Sequence, residues 1–473
     1  MFADNRTVPD QGRSEPPGTP DAGRPIDPDW AWAPYKPDTQ RPWDLRRAGH
    51  LFRRAAFGAD WGQLQQALAD GPQRTVDRLL RPDADVEAFH RTYDEYEAST
   101  AGSDSADGLR AWWLRRMMQT PHPLLEKMTL FWHDHFAISN ARVKNALLMH
   151  KHVQSLRSHA LGRFAPLLQS VSRDPAVLLG LEAAANRKAQ PNEQPARTIV
   201  EVYSLGPGHA TEEDLRSAAR AFTGWFVLRG QLRYIEREHD TGTKRFLGEE
   251  GDFDADAVVR ILLGQPAVSR LLVRKLYRWL ICETEESDDA LLAPLVESFR
   301  KDYDVATLVE TMLRSNLFFS PAAYRQRIKS PVEFALGIVR GLEGMVSTTQ
   351  LGQDLAALGE NLYHPPTVRG WRGGQYWINR ATLIGRSNLA GALLSGSEPY
   401  GDKLDPAAIA KKHGFPDPEP AGRFLLDLFL QGDVEADVGD RLLRDVAAAG
   451  GDLSRRLRRL AGTIVTLPEF HLA

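Results

Sequence analysis

Residues 186–201 read Asn-Arg-Lys-Ala-Gln-Pro-Asn-Glu-Gln-Pro-Ala-Arg-Thr-Ile-Val-Glu. Pro195 suits the first turn of a helix, where its missing N–H is not needed, and the Asn192 side chain can cap that turn. The spacing predicts a helix that runs on through Glu201. Glu193, Arg197 and Glu201 then fall at i, i+4 and i+8 and form one stripe of ionisable groups, while Ala196, Ile199, Val200 and Tyr203 spread over the other faces. As a solvated face the stripe supplies ion pairs worth a few tenths of a kcal/mol each. Facing inward it needs partners, because unpaired buried charge is very costly. Asn186, Arg187, Lys188 and Asn192 crowd the entrance of this helix, which makes it one wall of a polar site.

The same helical spacing recurs on both sides. Helices are predicted from about Asp44, over Trp61–Asp70 behind the cap Asp60, from Thr75, over Leu109–Met118, Leu124–Phe136 and Val143–Ala160, and in two pieces over Ala165–Leu181. Thr211-Glu212-Glu213-Asp214 starts another, since the hydroxyl can cap and the acids favour the positive helix end. Residues 225–235 change period. Trp225–Leu228, then Arg229-Gly230, then Gln231–Ile235 reads as a β-hairpin. A polar, glycine-containing loop follows at 239–248. Helical pattern resumes over 254–342, a loop at 364–374 is broken by Pro and Gly, and the last 90 residues give two or three helices. The expectation is a mainly α protein: ten to sixteen helices in one large multi-helical domain over 44–473, with one small hairpin near 225–236. Residues 1–43 read as a Pro-rich arm, disordered or loosely docked, whose Trp30, Trp32 and Tyr35 pin it to the body.

The bulk numbers narrow the function classes. In 473 residues there are 59 Lys and Arg against 62 Asp and Glu, a net charge of −3, so no global basic field points to nucleic acid. The single cysteine, Cys282, excludes an internal disulfide framework and suits a reducing compartment. No apolar run reaches the roughly 20 residues of a membrane span. The arm has no apolar stretch of the kind an export signal carries, so a cytoplasmic location is expected.

Three groups of residues carry chemistry. His133 and His135, in Trp-His-Asp-His-Phe, are candidate metal ligands; at i and i+2 they converge only where a helix ends. Glu193, Arg197 and Glu201 are the second group. His239, Asp240 and Lys244, in the loop after the hairpin, are the third. The Gly-Trp-x-Gly-Gly loop at 370–374 is placed to cover such a site. No phosphate loop, dinucleotide fingerprint, His-Glu-x-x-His, Cys-x-x-Cys or Gly-x-Ser-x-Gly occurs.

Several segments together resemble the bacterial family known as domain of unknown function 1800. They are Thr-Pro-His-Pro-Leu-Leu-Glu-Lys-Met-Thr-Leu-Phe-Trp-His-Asp-His-Phe (120–136), Ser-Arg-Asp-Pro-Ala-Val-Leu-Leu (172–179), Asn-Arg-Lys-x-x-Pro-Asn-Glu-x-x-Ala-Arg (186–197), Ala-Arg-Ala-Phe-Thr-Gly-Trp (219–225), His-Asp-Thr-Gly-x-Lys-x-Phe-Leu-Gly (239–248), Lys-Ser-Pro-Val-Glu-Phe (329–334) and Pro-Pro-x-Val-x-Gly-Trp-x-Gly-Gly (365–374). The resemblance covers about residues 45–395. It implies little about activity. Members often accompany a second family related in fold to sulfatases and alkaline phosphatases, which makes such a companion the implied partner, and many members are exported. The family pattern has Glu where this chain has Thr198.

Two functions are carried forward. One is an enzyme with a polar His/carboxylate site, in which Zn, Fe or Mn would suit the donor set and hydrolysis of an anionic substrate is the favoured reaction. Arg197 and Lys244 would then hold the anion. The other is a non-catalytic helical scaffold that docks the sulfatase-like companion. The enzyme reading predicts that residues 133–135, 193–201 and 239–244 meet.

Overall fold

The computed structural model describes residues 26–82, 86–101, 105–283, 288–448 and 450–473. Among them are 24 α-helices, one π-helical stretch and two antiparallel two-stranded sheets, so the protein is mainly α. The helix count exceeds the sequence expectation. Single-turn helices such as Pro28–Trp32, Asn140–Val143 and Glu193–Arg197 are too short to show a 3.6-residue period. Among the described residues, no helix is long and apolar enough to cross a membrane.

The predicted hairpin is present. Trp225 pairs with Tyr234 and Leu228 with Gln231, and Arg229-Gly230 turn between them at φ 53° and 72°, the handedness a two-residue hairpin turn requires. A second hairpin, Lys244–Phe246 with Glu249–Gly251, stands where a loop was expected. Its Leu247-Gly248 turn has the same handedness, at φ 50° and 88°. Strands of three residues are too short to show alternation, so the turn was the only available signal.

One connected cluster of buried apolar side chains runs from Ala31 to Phe470, with Trp112, Trp113 and Trp132 among its largest members. The described part of the N-terminal arm is docked on it. Trp32 Nε1 donates to the Leu291 carbonyl at 2.7 Å, Tyr35 N–H to Arg314 at 2.7 Å and Trp43 Nε1 to Ala67 at 2.8 Å. Residues 1–25 of the arm lie outside the described residues. At the other end, Leu472 pairs with Ile328, Lys329 N–H donates to the His471 carbonyl at 2.9 Å and Ala473 N–H to that of Arg327 at 2.7 Å. This short ladder holds residues 327–330 extended just before the helix Pro331–Gly341. Ser330 and Glu333 cap that helix reciprocally.

Candidate functional site

The apolar helix Pro123–His135 ends at Phe136, so His133, Asp134 and His135 occupy its last turn. Successive side chains there fan out by about 100° each, and the three go to three places. His133 Nε2 accepts from the Tyr363 N–H at 3.1 Å, and its ring sits among Trp113, Tyr363 and Trp371. Nδ1 is buried without a partner, and burial pushes the imidazole down to about 3. Asp134 turns into a cleft. His135 lies against the π-helical stretch Thr198–Leu205, where Nε2 is 3.1 Å from the Tyr203 carbonyl. That oxygen can only accept, so Nε2 carries the proton. Nδ1 is then the acceptor, and it lies 2.9 Å from Lys275 Nζ. Pro207 stands four residues past Tyr203 with no N–H to offer it, which leaves the Tyr203 carbonyl open to the imidazole.

The cleft has a volume of about 240 Å³, room for a small molecule rather than a single water. Its wall includes Asp134, His135, Lys275, Glu283, Arg327 and Glu360, with Arg278, Arg369 and Arg372 also on it and Phe131, Trp279, Trp371 and Trp377 as its aromatic surfaces. Asp134 Oδ1 accepts from the Trp371 N–H at 2.7 Å, yet burial still pushes its carboxyl up to about 6. Glu360 is buried; Oε2 accepts from Val332 N–H at 2.8 Å and burial raises it to about 7. Burial pulls Lys275 below the ordinary lysine range, against the attraction of Asp134. Arg327 lies with its guanidinium carbon 4.3 Å from the Trp279 ring centre and donates to Glu333 at 2.5 Å. Burial raises Glu333, but Arg327 and the buried Lys127 overcome it and hold that carboxylate well below its usual range.

The Gly-Trp-x-Gly-Gly loop borders this cleft, and its glycines have a steric reason. Gly370 (φ 76°) lies so close to Asp134 that a Cβ would overlap the carboxylate and the main-chain oxygen. A Cβ at Gly373 or Gly374 would come within 3.0 or 3.1 Å of the Glu283 carboxylate. Both have positive φ, which glycine adopts freely. Glu283 Oε2 is buried without a partner.

Of the eight residues singled out from sequence, only His135 lines the cleft. Glu193 is exposed at the start of its single-turn helix, capped by Asn192 as expected. Arg197 pairs with Glu212 at 2.6 Å and Glu201 at 3.7 Å. Asp240 takes a two-pronged contact from Arg220, at 2.7 and 3.0 Å, and is pulled down to about 2 by it. His239 Nδ1 donates to the Thr223 carbonyl at 2.9 Å, and the buried Lys244 amine reaches Asp252 at 2.8 Å. The 193–201 and 239–244 segments are each tied to the helix Glu212–Ala221, the first through Glu212 and the second through Arg220, eight residues apart on it. His133 and His135 bond elsewhere: His135 has both ring nitrogens engaged, His133 has one, and the two do not face a common position. Among the described residues, no group of three or more His, Cys, Asp or Glu is placed to hold a metal ion.

Sequence reasoning passed over Asp134, Lys275, Glu283, Arg327 and Glu360. Asp134 was inside a quoted motif but overshadowed by its flanking histidines. Lys275 and Glu360 sit in ordinary helical and turn sequence, and only the fold shows them to be neighbours.

No curated protein and no solved structure matches the chain. A family model does, over residues 50–472, and it reaches past the motifs into the C-terminal segment that pairs with Ile328. By that match the chain belongs to the family described as protein of unknown function DUF1800.

Proposed function

We propose that the protein is an enzyme performing acid–base chemistry, with hydrolysis as the reaction class, on a small anionic substrate held in the cleft of Asp134 and Glu360. The observation that carries this reading is the pairing of two carboxyls of raised affinity for protons with five cationic side chains on one wall. Buried, proton-retaining carboxyls in a cleft are common at catalytic sites because they serve as acid and base near neutral pH. Asp134, ionised above about 6, is the base that activates water. Glu360, protonated below about 7, is the acid that protonates the leaving group. Arg369 and Arg372, exposed on the loop, draw the anion in.

The test is a panel of anionic esters (phosphate, sulfate and carboxylate) assayed with the native chain, Asp134→Asn and Glu360→Gln. Turnover of one class, peaking between pH 6 and 7 and lost in both variants, supports the reading. Turnover that ignores both substitutions, or a cleft to which none of these anions binds in calorimetry, overturns it.

A second reading rests on a different observation. Tyr376, Leu383 and Ile384 are exposed large apolar side chains just beyond the loop, and such a rim suits a protein partner such as the sulfatase-like companion. Copurification of the two proteins, abolished by Tyr376→Ser with Ile384→Ser, is its test.

A further inference from the structure

We infer that Lys275 is a nucleophile that forms an imine with a small aldehyde or ketone carrying an anionic group, with His135 holding its amine in place. This rests on the acid–base cleft proposed above and goes beyond its hydrolysis to covalent chemistry on a carbonyl compound.

The argument begins with what Lys275 is bonded to. A partly buried lysine usually pairs with a carboxylate, which fixes its charge. The hydrogen bond of Lys275 goes to the neutral nitrogen of His135, at 2.9 Å. That imidazole is oriented by the Tyr203 carbonyl at 3.1 Å. A nucleophile bonded to a base that a third group orients is the general arrangement of covalent catalysis. Lysine is the member of that class that condenses with aldehydes and ketones to an imine. Asp134, Arg278 and Arg369 are the other charged groups acting on the amine. The net environment, led by burial, favours the free amine more than water does.

The step balances without another reagent. The ammonium gives one proton to the Asp134 carboxylate, and the amine lone pair attacks the carbonyl carbon. The new C–N bond forms as the C=O π bond becomes an alkoxide. The alkoxide takes one proton from nitrogen and a second from Glu360, the C–O bond breaks, and water leaves. The iminium keeps one N–H, which donates to His135 Nδ1. Hydrolysis of the iminium reverses these steps and returns the free amine and the carbonyl compound. Arg369 and Arg372 hold the substrate's anionic group.

The test uses the whole chain at pH 7 with pyruvate or glyoxylate and cyanoborohydride, followed by peptide mass spectrometry. Lys275 is expected to be labelled severalfold faster than the exposed Lys151 and Lys301, because burial leaves more of its amine unprotonated. Lys275→Arg should remove that adduct while keeping the charge. His135→Gln should slow it. Equal labelling of all three lysines, or an unchanged adduct mass in Lys275→Arg, overturns the inference. Calorimetry without reductant separates the two readings. Pyruvate that binds the native chain and not an Arg369→Glu variant, yet leaves no adduct on Lys275, removes the imine and leaves the acid–base cleft standing. No anion binding at all removes both.

Discussion

Gly370 packs against the Asp134 carboxylate so closely that no side chain fits between them. The contact joins the Gly-Trp-x-Gly-Gly loop to the end of the Pro123–His135 helix. Gly370→Ala should therefore cost about 3 kcal/mol, because strain at positive φ adds to the collision. Gly248→Ala is the matched control, with φ 88° and open space around the Cβ, and should cost about 1 kcal/mol. Denaturant midpoints of the two variants measure the difference. Equal losses would show that the carboxylate yields.

Glu360 keeps its proton up to about 7 when folded, whereas an unfolded glutamate loses it near 4.5. Between those values the folded chain binds more protons, so this group's contribution to stability falls as pH rises. Glu360→Gln should be more stable relative to the native chain at pH 8 than at pH 5. Urea melts at the two pH values test the sign, and a reversed sign means the carboxylate is stabilised where it lies.

Glu126 shows the opposite linkage. Buried with Arg116 and Arg157, which donate to it at 2.6 and 2.9 Å, it is pulled down to about 2 despite burial. Its contribution is complete above about 4.5 and is lost as pH falls toward 2. Glu126→Ala removes the carboxylate from between two buried guanidinium groups and should cost about 3–5 kcal/mol at pH 7, read from thermal or denaturant unfolding.

The Arg197 ion pairs lie on a surface open to solvent, since Glu212 is well exposed. Arg197→Ala should change stability by less than about 1 kcal/mol and leave any cleft activity unaltered. A large loss of activity with the fold intact would return that stripe to the site.

His133 and His135 should not set metal content. Zn, Fe and Mn measured after loading are expected to be the same in the native chain and in a His133→Ala, His135→Ala double variant that remains folded. A stoichiometric metal lost in the double variant would reinstate the two histidines as ligands.

The legible part of this fold was its periodicity. The long helices, the Asn192, Asp60 and Thr211 caps and the Arg229-Gly230 turn all rest on contacts within four residues, and each is present. The family resemblance was also legible, because the motifs occur in order. The assembly of the cleft was not. Asp134 meets residue 371, His135 meets 203 and 275, and Glu360 meets 332. Contacts over such separations leave no local pattern. Conversely, the Glu193, Arg197 and Glu201 spacing describes a solvated face as well as a catalytic one, and the structure pairs Arg197 with Glu201 and Glu212.

The neighbouring anchors His133 and Asp134 close residues 363–371 into a ring, the first gripping Tyr363 N–H and the second Trp371 N–H. The same backbone turn of one helix thus clamps both ends of the segment. Such a clasp cannot swing aside without breaking one buried and one partly buried hydrogen bond together. For the substrate proposed above, this predicts entry through a fixed aperture, with admission decided by shape and charge at the mouth instead of by the timing of a flap.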